Sequence, residues 1–157
     1  MKNKKEIIHQ LIILVVSLII TALVSRFFFQ LLLVRGDSMY PTLKNMQLVI
    51  LEKQVGEYEA GDIIAFRCNG LDTVLIKRIV GKPGDIVEIR DGNLIVNGKA
   101  NTFYGGRIFS MAGVLEASIT LYEGQFIVIG DNLDESVDSR DERVGIVDLD
   151  SIIGRVL

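Results

Sequence analysis

The sequence predicts a mostly β protein with a single N-terminal transmembrane helix, and three observations carry that reading. Residues Ile7–Ser25 form an uncharged apolar run. After it, short apolar stretches alternate with glycine-containing turns, and no stretch of this part repeats every 3.6 residues. The charge also divides: residues 1–34 carry Lys2, Lys4, Lys5 and Arg26 against Glu6, whereas residues 35–157 carry a net of −6. At 157 residues with positive mean hydropathy, the chain has room for one domain and an anchor.

As a helix, the nineteen residues of Ile7–Ser25 extend about 28 Å, enough to cross a bilayer. Lysines at 2, 4 and 5 precede the run, so the positive-inside rule puts residues 1–6 in the cytoplasm and the rest of the chain outside. The run is longer than a secretory leader needs, and Ala22-Leu23-Val24-Ser25 lacks the small-x-small pattern of a cleavage site. The residues are apolar on every face, unlike a helix that packs one face on a soluble core. Residues 26–35 continue the apolar character past Arg26, whose long side chain can reach head groups; they read as an interfacial segment, with one longer tilted helix as the alternative.

Residues 36–157 read as the extracytoplasmic β domain. Strands are expected at Gln47–Glu52, Ile63–Arg67, Thr73–Val80, Ile86–Arg90, Asn93–Asn97, Gln125–Ile129 and Ser151–Leu157. Pro83-Gly84 has the residues of a type II turn, and Asp91-Gly92 between two alternating runs signals a hairpin. Residues 98–122, with Gly105-Gly106, show only weak periodicity and read as an excursion from the β core. An acidic domain is a poor partner for nucleic acid. The lone Cys68 has no internal disulfide partner, and no Cys/His cluster has metal-ligand spacing.

The candidate nucleophile is Ser38, in the turn Gly36-Asp37-Ser38-Met39-Tyr40-Pro41. A serine needs a neighbouring base at neutral pH, and the lone histidine, His9, heads the apolar run on the far side of the membrane. Five lysines lie beyond the anchor, and Lys77 stands out. With a period of two it shares a strand face with Leu75 and Ile79, where burial disfavours the ammonium and lowers the pKa. A lysine whose stem packs while its head reaches water fits the same pattern. A third polar concentration, Gly130 to Arg140, could orient a base or be an ordinary solvated loop.

Together these segments resemble the bacterial type I signal peptidases. Four stretches carry the resemblance in order: GDSMYPTL at 36–43, GDIIAF at 61–66, IKRIVGKPGD at 76–85 and GDNLDESVDSR at 130–140. The resemblance implies a β-rich, partly open barrel-like domain in the bacterial cell membrane that removes signal peptides from exported precursors after Ala-x-Ala, without a cofactor or metal. It implies Ser38 as nucleophile and Lys77 as general base, with Ser136 hydrogen-bonding the lysine amine. Asp138 and Arg140 would hold the loop, Arg78 would pair with Asp131, and Val34, Met39, Leu43 and Ile76 would line substrate pockets. Gly36 stands where some relatives place a serine that donates to the oxyanion, Leu133 where a basic residue is common, and Glu135 where asparagine is common. The partners implied are precursor proteins and membrane lipids. A narrower serine/lysine peptidase and a silent membrane-tethered β module are the competing readings.

Overall fold

The structure, a computed structural model, describes residues 3–157, so Lys2 lies outside the described residues. Helix α1 runs Lys4–Phe28 and none of its residues is buried. Its 25 residues are long and apolar enough to cross a membrane. The helix passes through Arg26 and ends where Phe29 turns extended, its N–H still bonded to the Ser25 carbonyl. Beyond it the apolar run changes geometry and becomes strand β1, Phe29–Leu33.

The rest is antiparallel β structure. Strands β2 (Leu48–Glu52), β3 (Ile63–Cys68), β4 (Thr73–Gly81), β5 (Ile86–Arg90) and β6 (Asn93–Val96) follow the expected positions closely. Then come β7 (Lys99–Ala100), β8 (Ile119–Thr120), β9 (Gln125–Ile129), β10 (Val147–Asp148) and β11 (Ile152–Val156). They form a seven-stranded sheet ordered β1-β2-β11-β3-β4-β9-β10 and a four-stranded sheet ordered β7-β6-β5-β8. Both sheets are open among the described residues, with no barrel closure. The partly open β architecture expected from the sequence is therefore the one adopted. Strand β11 is out of chain order, inserted between β2 and β3.

Alternation explains the packing. In β2, Val49 and Leu51 are buried while Leu48 and Ile50 face out. The inward pair joins Val34, Met39, Leu43, Ala65 and Ile76 in a core cluster beneath the Ser38 turn. The hairpin between β5 and β6 has Asp91 at φ 50° and Gly92 at φ 71°. Two consecutive positive φ values are what a two-residue type I′ turn needs, which is why Asp-Gly stands there. Residues 98–122 are built into the structure more deeply than an excursion: Tyr104, Phe109, Leu115 and Leu121 are buried in the core of the smaller sheet.

Candidate active site

Ser38 sits half-buried in the turn that follows β1, and the loop after β9 holds that turn in place. The Asn132 N–H donates to the Ser38 carbonyl at 2.9 Å. The Asn132 side-chain amide donates to the Asp37 carbonyl at 3.1 Å. The backbone on both sides of the nucleophile is thus fixed by one residue almost a hundred positions away.

Lys77 comes from the middle of β4, opposite Ile64 of β3. It is 2% exposed. Its Nζ lies 2.7 Å from Ser38 Oγ and donates to the Ile76 carbonyl at 2.9 Å. Burial pushes its pKa down from the ordinary 10.5 to about 8, partly offset by the charge of Asp138. An amine with that pKa is neutral in a useful fraction of molecules near neutrality, and a neutral amine can accept the serine proton.

Two ion pairs brace the site. Arg78, the next residue along β4, donates from Nε and Nη2 to the two oxygens of Asp131 at 2.8 and 2.6 Å. Its Nη1 donates to the Gly61 carbonyl at 2.7 Å, and Thr42 donates its hydroxyl to Asp131 at 2.5 Å. A single carboxylate therefore ties β4, the serine turn and the β9–β10 loop together. Asp138, fully buried, accepts from Arg140 Nε and Nη2 at 2.8 and 2.9 Å and from the Gly130 N–H at 3.0 Å. Arg140 also donates to the Leu133 carbonyl at 2.8 Å and lies over the Phe109 ring at 5.5 Å. Its charge and four of its contacts are thereby matched inside the fold.

Beside Ser38 a cleft of about 370 Å³ runs between residues 32–35 and the first half of β4, lined among others by Val34, Met39, Ile76 and Lys77. Leu43 does not reach it. That side chain is buried in the core cluster beneath the turn, together with Val34, Met39, Val49, Leu51 and Ile76. The expected hydrogen bond from Ser136 to the Lys77 amine is not formed either: the buried Ser136 hydroxyl has no hydrogen-bond partner among the described residues. It lies where a Cβ on Gly130 would strike it, next to the Ser38 carbonyl, so it borders the dyad without bonding to it. Among the described residues no group of three or more His, Cys, Asp or Glu could hold a metal ion.

Leu133 is buried against the smaller sheet's core, which gives an apolar side chain at that position a packing role. Glu135 is exposed, and its N–H donates to the Asn132 carbonyl at 3.2 Å. Sequence reasoning missed Thr42, Asn132 and Arg107, the last of which donates to the Asp131 carbonyl at 2.9 Å. Arg107 had no local signal, since it lies in the stretch with least pattern. Thr42 and Asn132 lay inside the quoted motifs, but their bonds link segments about ninety residues apart.

Comparison with known proteins gives matches along nearly the whole chain. The sequence model of the family "Signal peptidase, peptidase S26" matches residues 6–157. The chain belongs to this family. Signal peptidase IB of Staphylococcus aureus (strain COL) is 31% identical over 175 aligned positions, covering 98% of this chain and 88% of the relative. Signal peptidase I S of Bacillus subtilis (strain 168) is 34% identical over 150, covering 88% and 80%. The crystal structure of a signal peptidase I from Enterococcus faecalis V583 superposes with a TM-score of 0.53 at 29% identity, covering 66% of this chain and 99% of that one. As a member of the signal peptidase family, the chain is a serine peptidase.

Proposed function

We propose that this chain is a membrane-anchored serine endopeptidase that removes N-terminal signal peptides from exported precursors after Ala-x-Ala, with Ser38 and Lys77 as its catalytic dyad. The observation that carries the reading is the 2.7 Å approach of Ser38 Oγ to a lysine amine buried enough to be neutral near pH 8. Neutral Lys77 accepts the Ser38 proton as Oγ attacks the carbonyl carbon of the scissile bond. The carbon–nitrogen bond then breaks, Lys77 returns the proton to the leaving amine, and an ester to Ser38 remains. Water hydrolyses that ester, with Lys77 again taking a proton.

The Ser38 N–H makes no hydrogen bond among the described residues and is free to donate to the oxyanion. Gly36 offers no side-chain donor, and its N–H is bound to Asn45 Oδ1 at 3.0 Å. An extended substrate suits the cleft. β4 pairs with β3 on one edge, but β9 covers its other edge only over Arg78–Gly81, leaving residues 73–77 to pair with a bound strand. Val34, Met39 and Ile76 make the lining apolar and close-packed, which favours small side chains at the pocket positions. Asp138, Arg140, Arg78 and Asp131 act by holding the loop and the strand that carries the lysine rather than by touching substrate, and Ser136 comes to the lysine amine only during turnover.

In this reading residues 7–25 span the bacterial cell membrane, residues 26–35 lie at its surface, and residues 36–157 work on the outer side. Tethering raises the effective concentration of precursors held in the same bilayer by their signal segments. The test is a reporter precursor carrying an Ala-x-Ala site, incubated with the intact protein in detergent. Cleavage after the second alanine, lost in Ser38→Ala and lost when that alanine is replaced by phenylalanine, is expected. Absence of processing by the unaltered protein would refute the reading.

A further inference from the structure

A groove lies away from Ser38, where α1 meets the hairpin of β1 and β2. It measures about 1190 Å³, and its lining includes apolar Leu23, Phe29, Leu31 and Ile50 together with Arg26 and Lys53. The register explains its apolar wall. Leu31 stands opposite Ile50 and Leu33 opposite Leu48, and directly opposed residues of an antiparallel pair point to the same side. These side chains are exposed, at 62% for Leu31 and 60% for Leu48, while Leu32 and Val49 turn inward to the core. The outer face of the hairpin is thus an apolar surface continuous with the helix.

The two cations are placed by the backbone. The Lys53 N–H donates to the Phe28 carbonyl at 2.8 Å, which sets Lys53 against the last turn of α1, the turn that carries Arg26. Neither forms an ion pair with an acidic side chain among the described residues, whereas the nearest acid by register, Glu52, is taken by Arg155 at 2.7 Å. Positive charges at the edge of an apolar trough are costly unless an anion joins them, and no side chain of the lining supplies one.

We propose that this groove is a binding site for one phospholipid with an anionic headgroup, its acyl chains along Leu23, Leu31 and Ile50 and its phosphate between Arg26 and Lys53. A free phosphate would leave the apolar wall bare, and a neutral lipid would leave a net positive charge. The site rests on the reading that α1 lies in a membrane. Because β1 leads directly into the residues that line the Ser38 cleft, the lipid would also fix the height of that cleft above the bilayer.

The chain contains no tryptophan, so Leu31→Trp introduces a single fluorophore in the groove. The full chain is reconstituted in phosphatidylcholine vesicles with a small fraction of either brominated phosphatidylglycerol or brominated phosphatidylcholine. Each cation near an anionic headgroup strengthens binding roughly fivefold, so a preference for phosphatidylglycerol on the order of 25-fold is expected. Arg26→Gln with Lys53→Gln should abolish the preference and Arg26→Lys should keep it. Cleavage of a short soluble peptide by each variant checks folding, and Phe29→Trp serves as the probe if Leu31→Trp fails that check. Equal quenching by the two lipids, a preference that survives in the double glutamine variant, or full displacement by soluble glycerol phosphate would overturn the proposal. Flotation with pure phosphatidylcholine vesicles tests the spanning reading separately, since failure there removes all association rather than the lipid preference.

Discussion

Replacing Lys77 with methionine should stabilise the fold at neutral pH while it destroys activity. The lysine is 2% exposed, and its pKa falls from 10.5 to about 8 chiefly because burial penalises the ammonium. At about 1.4 kcal/mol per pH unit, that difference means the charged side chain costs the folded state about 3 kcal/mol. The sign follows from proton counting. Between pH 8 and 10.5 the unfolded chain holds a proton that the folded chain has lost, so stability rises with pH across this window and is lowest below it. Methionine has a similar length, fills the same space, and carries no charge to desolvate. At pH 7 it should therefore raise Tm by about 6–12 °C, using about 2–4 °C per kcal/mol for a chain of this size. The advantage should shrink to a small residue near pH 11, where lysine is neutral in both states. Thermal unfolding of both proteins in the same detergent, at pH 7 and near pH 11, measures the difference directly. A methionine variant no more stable at pH 7, or an advantage that does not change with pH, would refute the claim that the amine is held against its charge.

Further outcomes follow from the same geometry. The kcat/KM for peptide cleavage should fall about tenfold per pH unit below about 8 as Lys77 takes up a proton, and a flat profile down to pH 6 would exclude it as the base. Asp131→Ala should leave the Arg78 guanidinium and the Thr42 hydroxyl without their shared carboxylate, lowering stability by about 2–4 kcal/mol and activity at least tenfold, as read by denaturation and peptide assay. Gly130→Ala places a Cβ against the Ser136 side chain and 2.6 Å from the Ser38 carbonyl oxygen, so activity should drop more than a hundredfold in a protein that still unfolds cooperatively. Ser136→Ala removes a buried hydroxyl without a hydrogen-bond partner and should change stability by less than about 1 kcal/mol. If Ser136 orients Lys77 during turnover, the same variant lowers kcat without moving KM.

What the sequence made legible depended on whether a feature was local. Lys77 stood out because both faces of its strand are apolar, but a lysine whose head reaches water fits that pattern too, and the resemblance was needed to choose between them. The Asp91-Gly92 hairpin could be found because the backbone demanded positive φ at two adjacent positions. Residues 29–33 were harder, because a strand with apolar residues on both its core face and its exposed face shows no alternation of polarity. Leu43 shows a related limit: proximity to Ser38 in sequence does not say whether a side chain lines a cleft or lies under it. Residues 98–122 owe their shape to contacts made far away, such as Arg107 with Asp131 and the packing of Leu115, which no local pattern announces. Ser136 followed from the resemblance, and its hydroxyl lies close to the site but bonds to nothing there.

The place of β11 has a consequence in time as well as in space. The hairpin that leads into Ser38 and the hairpin that carries Lys77 do not pair with each other; β11 stands between them and hydrogen-bonds to both. It also follows every other strand among the described residues, so it is synthesised after all of them. Until residues 152–156 arrive, the two hairpins share no strand and are joined by the Asp131 and Asn132 contacts and by side-chain packing. The sheet that spaces the two hairpins is therefore completed by the strand that comes last in the chain order.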